Sequence, residues 1–221
     1  MRKARFQARV MRVVRKSQET KYLLVGQENR QLYHDVGNAP GPTTNQVAIL
    51  FDPWQYVNIG TGRQNRIGDQ ITPRGIAIRL WLANKADRVD LLYRVIIAVV
   101  PRNINGVVST VSNVDLFQPM DQSTNNSTIT AMTDMEKVNK VLVDRTYHLQ
   151  NASGYDTKEV HMLKKFWIRA KRARPIKYTS AGQHANNYLG VWVIPYDSYG
   201  TLQTDNVASC AYCARLYFKD A

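Results

Sequence analysis

From about residue 46 onward the chain is cut into short runs rich in Val, Ile, Leu and aromatic residues, each closed off by Ser, Thr, Asn and Gly. The runs are 46–50 with 55–59, 71–83, 90–100, 140–149, 159–171, 176–178, 188–195 and 207–219. The breakers between them include Gly60-Thr-Gly62 and residues 103–106, 123–127, 151–154, 180–187 and 197–204. Strands do not alternate with helical segments, so a parallel sheet built from crossover helices is excluded. The expectation is an all-β fold, an antiparallel sandwich or barrel of about eight strands. Eight strands in two four-stranded sheets is the jelly-roll count, common in viral capsids and lectins; strand number alone leaves an up-and-down barrel open. One short helix is expected around 130–138, and no internal repeat is visible.

A length of 221 residues suits one domain with a full core. No apolar run reaches the roughly 18 residues of a spanning helix. The N-terminus has neither an apolar core nor a small-residue cleavage site, so the chain reads as neither secreted nor inserted in a membrane.

The charge is uneven. The net charge is +13, yet residues 1–21 carry eight cations against Glu19, and residues 164–177 carry seven cations and no acid. The remainder is close to neutral. Clustering of this kind favours a polyanion, nucleic acid ahead of an acidic membrane. In the N-terminal segment the candidates are Arg2, Lys3, Arg5, Arg9, Arg12, Arg15 and Lys16. Most are arginine, whose planar guanidinium grips phosphate with two parallel bonds. Phe6, Val10, Val13 and Val14 recur at helical spacing among them, so this arm is either a short amphipathic helix or a disordered tail. In the second cluster, Val160, Met162, Phe166, Ile168 and Ala170 share one face of a strand, interrupted by Lys164, and His161, Lys165, Trp167, Arg169 and Lys171 share the other. Trp167 there either stacks an unpaired base or covers a neighbouring subunit or loop.

Chemistry is sparsely signalled. The four histidines are scattered, and no nucleophile elbow, phosphate loop or metal-spaced His pair is present, so no catalysis is expected. Cys210 and Cys213 form a lone C-A-Y-C within a strand-like run. Three residues apart on a strand, the thiols face opposite ways, which fits two small residues of a reduced protein better than a metal site.

Glu19-Thr-Lys-Tyr22, Gly60-Thr-Gly-Arg-Gln-Asn-Arg66-Ile-Gly-Asp-Gln-Ile71, Val141-Leu-Val-Asp144-Arg145 and Arg215-Leu-Tyr-Phe-Lys-Asp220-Ala221 follow one another along the chain. Together they resemble the single-jelly-roll capsid proteins of circular Rep-encoding single-stranded DNA viruses, the circovirus-like group, and the related coat protein of satellite tobacco necrosis virus. The resemblance implies an eight-stranded jelly roll over residues 22–221 behind a genome-binding arm over 1–21. It also implies self-assembly into a closed T=1 shell of about sixty copies. Its partners would be other copies of itself, a single-stranded DNA or RNA genome and a host receptor. Its places would be the virion and, through the Arg-rich arm, the host nucleus. It further implies calcium at subunit contacts, held by Glu19, Gln70 and Asp220 near the Ile67 carbonyl. Where the satellite coat protein has a further acid near its threefold axis, this chain has Thr61. Ordinary ion pairing of Glu19 and Asp220 with lysines or other cations is the alternative. Two other classes compete with a capsid protein: a nucleic-acid-binding β-domain that does not assemble, and a receptor-binding jelly roll of the lectin type.

Overall fold

A computed structural model describes residues 19–35, 49–101, 116–117, 129–136, 138–150, 160–170, 175–179, 187–199 and 204–220. The strands are β1 (Lys21–Tyr33), β2 (Leu50–Phe51), β3 (Gln70–Asn84), β4 (Asp90–Val100), β5 (Lys140–Gln150), β6 (His161–Arg169), β7 (Ile176–Lys177), β8 (Tyr188–Tyr196) and β9 (Asn206–Asp220). They form two antiparallel sheets, so the fold is all-β. One sheet runs β1-β9-β3-β6 with β7 also on β3, and the other runs β2-β8-β4-β5. The sheets are therefore five- and four-stranded rather than two of four, because the two-residue β7 pairs Gln70 and Ile71 of β3.

Period-two alternation explains the packing. Ile76, Ile78, Leu80 and Leu82 of β3 and Ala214, Leu216 and Phe218 of β9 face Leu91, Tyr93, Val95 and Ile97 of β4 and Val191 and Val193 of β8 across one core. A second core lies on the far side of the four-stranded sheet. There Ile96, Ala98 and Val100 of β4 and Trp192 and Ile194 of β8 are covered by Leu116, Phe117, Ala131 and Val138 of the β4–β5 connection. With both faces covered, β8 is a nearly continuous apolar run. Gly190 is part of that packing, since a Cβ there would overlap the Trp192 indole ring. Arg94 enters the second layer with its charge matched. Its Nε and Nη2 donate to the two Asp144 carboxylate oxygens at 2.9 and 2.7 Å, and Nη1 donates to the Ala131 carbonyl at 2.6 Å.

Three sequence expectations are corrected. The first strand is β1, which starts at Lys21, whereas the strand pattern was expected from about residue 46. As an edge strand β1 needs only backbone bonds to β9, so its Gly26–Gln31 stretch carries no apolar signal. Residues 46–48 lie outside the described residues. Instead of a strand over 55–59, Pro53–Tyr56 forms a 3-10 turn; Pro53 has no N–H for a ladder. Around 130–138 the described residues form no helix beyond one Val138 N–H to Asp134 carbonyl bond. The Asp134 carboxylate accepts the Glu136 N–H at 2.9 Å, and Thr133 bridges Phe117.

At one end of the sandwich the residues after β1 meet the β3–β4 and β8–β9 turns. Buried His34 accepts the Asp197 N–H on Nδ1 at 3.0 Å, and Arg88 reaches Asp197 at 3.4 Å and Asp205 at 3.8 Å. Burial holds the His34 imidazole below its ordinary pKa, against the opposing pull of Asp35, Asp197 and Asp205. At the other end the 60–69 loop is organised by buried Arg66. Its Nε donates to the Val57 carbonyl at 3.3 Å, and its guanidinium lies 4.2 Å over the Tyr178 ring.

Candidate nucleic-acid interface

The two sheets differ in what covers their outer sides. That of the four-stranded sheet is packed by the chain's own connection; that of the five-stranded sheet carries exposed side chains. Register arranges this open side in rows across β1, β9, β3 and β6. Tyr22, Tyr217, Gly75 and Arg169 form one row, and Leu24, Arg215, Ala77 and Trp167 the next. Gly26, Cys213, Arg79 and Lys165 follow, then Ala211, Trp81 and Leu163 on the last three strands.

Four cations stand on this face, Arg79, Lys165, Arg169 and Arg215, and none of the side chains in these rows is Asp or Glu. Arg79 and Lys165 are directly opposite across the β3–β6 ladder. Like charges so placed repel and cost stability. Arg215 is 5.4 Å over the Tyr22 ring and donates to the Tyr217 hydroxyl at 3.5 Å. That hydrogen bond moves its guanidinium further above the ordinary value, so its charge does not depend on pH.

The aromatic side chains are held rather than loose. Trp167, 55% exposed, meets Tyr217 edge-on at 5.6 Å, and its ring lies over Gly75, where a Cβ would come within 2.7 Å of the indole. Trp81 stacks on His161 with ring centres 4.2 Å apart. Fixed positive charge beside preoriented rings can hold phosphates and stack unpaired bases without a shaped pocket.

Of the expected residues, Lys165, Trp167 and Arg169 are brought together here. Arg2, Lys3, Arg5, Arg9, Arg12, Arg15, Lys16 and Lys171 lie outside the described residues. The run 164–177 does not act as one surface, because strand alternation turns Lys164 inward, 4.4 Å over the Tyr147 ring. Arg79, Arg215, Tyr22, Trp81 and Tyr217 were not expected. They lie on three other strands, and only the register places them beside β6.

The acids proposed to hold calcium have other neighbours within the chain. The Asp220 carboxylate pairs with Lys21 Nζ at 2.8 Å and accepts the Ile67 N–H at 2.9 Å, so it is the amide of Ile67, not its carbonyl, that meets it. Lys21 also donates to the Asn65 carbonyl at 3.0 Å, and Glu19 lies 3.7 Å from Arg63. Gln70 begins β3 opposite Lys177. Among the described residues no three His, Cys, Asp or Glu side chains are grouped to hold a metal ion. The thiols of C-A-Y-C point to opposite faces: Cys210 is in the core, where burial pushes it up to about 12, and Cys213 is exposed.

Compared with the models of known families and with curated proteins, the sequence matches none.

Proposed function

We propose that this chain is a capsid protein of jelly-roll type that assembles into a small icosahedral shell and packages single-stranded nucleic acid. The observation that carries this reading is the open face of the five-stranded sheet, with four cations, exposed indoles and an unrelieved Arg79–Lys165 opposition. A face built this way is at a disadvantage until a polyanion lies on it. Its edge strand β1 is also the strand that directly follows the basic arm in the sequence.

The pairing scheme supports the jelly roll. β1 pairs β9, β2 pairs β8, β3 pairs β6 and β7, and β4 pairs β5. Pairs nested in this way are those of one long hairpin rolled into two facing sheets, which is how two Greek keys make a jelly roll. Because Lys21 is held by Asp220, seven arm cations remain for the genome. In about sixty copies they supply about 420 positive charges, and the four on each sheet face add about 240.

The test is expression of the full chain, followed by negative-stain imaging and nuclease digestion of whatever nucleic acid co-purifies. Closed particles that contain nuclease-protected strands, released by salt, are expected. Monomers that retain nucleic acid would favour the non-assembling binding domain, and particles or monomers with none would refute packaging.

A further inference from the structure

Beyond Gly26 the acid-free character of the open face ends at one place. The β1–β9 register shifts between Gln27 and Arg30, and Asn29 takes a left-handed conformation with φ 51°. The bulge holds Glu28 and Asn29 over a depression of about 460 Å³ floored by Ser209 and Ala211 and walled by Trp81. One side of the Trp81 ring is stacked on His161, and 41% of the residue stays exposed. Glu28 has no ion pair among the described residues. The Asn29 Oδ1 accepts from Gln31 Nε2 at 3.0 Å, which leaves its NH2 group as the available donor.

A surface that only held phosphates would be weakened by a carboxylate in this position. A carboxylate beside an amide donor and an indole suits a base instead. An ionised Glu offers acceptors only, and guanine is the base that presents two adjacent donors, N1–H and N2–H2, next to the O6 acceptor. Adenine and cytosine present one exocyclic donor, and thymine or uracil sets a carbonyl against the second carboxylate oxygen.

We infer that Trp81, Glu28 and Asn29 form a nucleobase slot that prefers guanine, with the base stacked on the indole and its Watson–Crick edge read by the carboxylate and the amide. The slot rests on the packaging reading and adds base preference to binding that is otherwise independent of sequence.

The test uses the full chain and fluorescein-labelled twelve-nucleotide strands: all-dT, the same strand with four dG, and the same with deoxyinosine, which lacks the 2-amino group. Fluorescence anisotropy should show the dG strand bound roughly 5- to 10-fold more tightly than all-dT, at the same salt slope, with most of the advantage lost for deoxyinosine. Glu28→Gln should erase the preference, and Trp81→Ala should weaken every strand while Trp81→Phe restores binding. Salt-dependent binding that is equal for all three strands, or a preference that survives Glu28→Gln, overturns the slot and leaves packaging intact. Absence of salt-dependent binding by any strand overturns both.

Discussion

Replacing Arg79 and Lys165 together with Gln separates binding from stability. Both side chains are exposed and directly opposed across β3 and β6, and Gln keeps the stems and the strand alternation. Removing the opposition should leave the subunit as stable as before or more stable by a few tenths of a kcal/mol, because exposed charges are well screened. Binding should move the other way. Each phosphate contact on a single strand contributes about 0.7 to the log–log salt slope, so two lost contacts flatten it by about 1.4. Between 50 and 200 mM salt this reduces the fold-loss of affinity by roughly sevenfold. Anisotropy titrations of a labelled dT strand at four salt concentrations, with urea unfolding of the same preparations, measure both. An unchanged slope would mean that no phosphate lies on this face. A loss of more than about 1 kcal/mol in stability would mean that the pair has a structural role and the face was misjudged.

Deleting residues 1–18 should greatly reduce the nucleic acid that purifies with the protein, the sheet face retaining the rest, and leave the unfolding midpoint within error. Deleting residues 1–24 should also cost about 1–3 kcal/mol, because the Lys21–Asp220 pair and the first rungs of β1–β9 go with it; equal stability of the two truncations in urea would refute that boundary. Gly190→Ala should destabilise by about 1–3 kcal/mol through overlap with the Trp192 ring, read by urea unfolding with Gly62→Ala, where a Cβ would meet only the Asn65 side chain at 3.5 Å, for comparison. His34 carries a pH dependence. Its folded pKa is below the unfolded value of 6.5, so between the two the unfolded chain binds a proton that the folded chain refuses. Its contribution is complete above about pH 6.5 and is lost as pH falls from there toward the folded value; His34→Asn, which keeps an acceptor for the Asp197 N–H, should flatten the urea midpoint between pH 7.5 and pH 5.

Strands whose side chains are sorted by two environments were readable in the sequence. β4 has the expected bounds, β5 and β8 differ by one residue at one end and β3 and β9 by one at each end, because burial on one or both faces writes the alternation directly. β1 was missed for the opposite reason: its central residues face solvent, and its partner is distant in the chain. The candidate face was half legible. Lys165, Trp167 and Arg169 share one strand and could be read from spacing alone. Arg79 and Arg215 are isolated cations in apolar strands, and nothing local says that they converge. The density of charge at 164–177 was visible, and so was Lys164 on the apolar side of the alternation; its seat over the Tyr147 ring needs the fold.

The nested pairing also orders the fold in time. β4 and β5 are the innermost partners, whereas Lys21 of β1 waits for Phe218 of β9, about 200 residues later. At 5–20 residues per second a ribosome needs about 10–40 s to pass from Lys21 to Phe218, and throughout that interval the β1 ladder cannot form. β3 is likewise without one neighbour until β9 emerges. The cations of residues 1–16 thus precede, in the order of synthesis, the strand whose ladder closes last. Closure waits for β9 to emerge, and a chain stopped before it is barred from presenting the finished sheet face. Nascent chains stalled ahead of residue 206 should be cut by protease within β1, and chains released at full length should resist at the same sites.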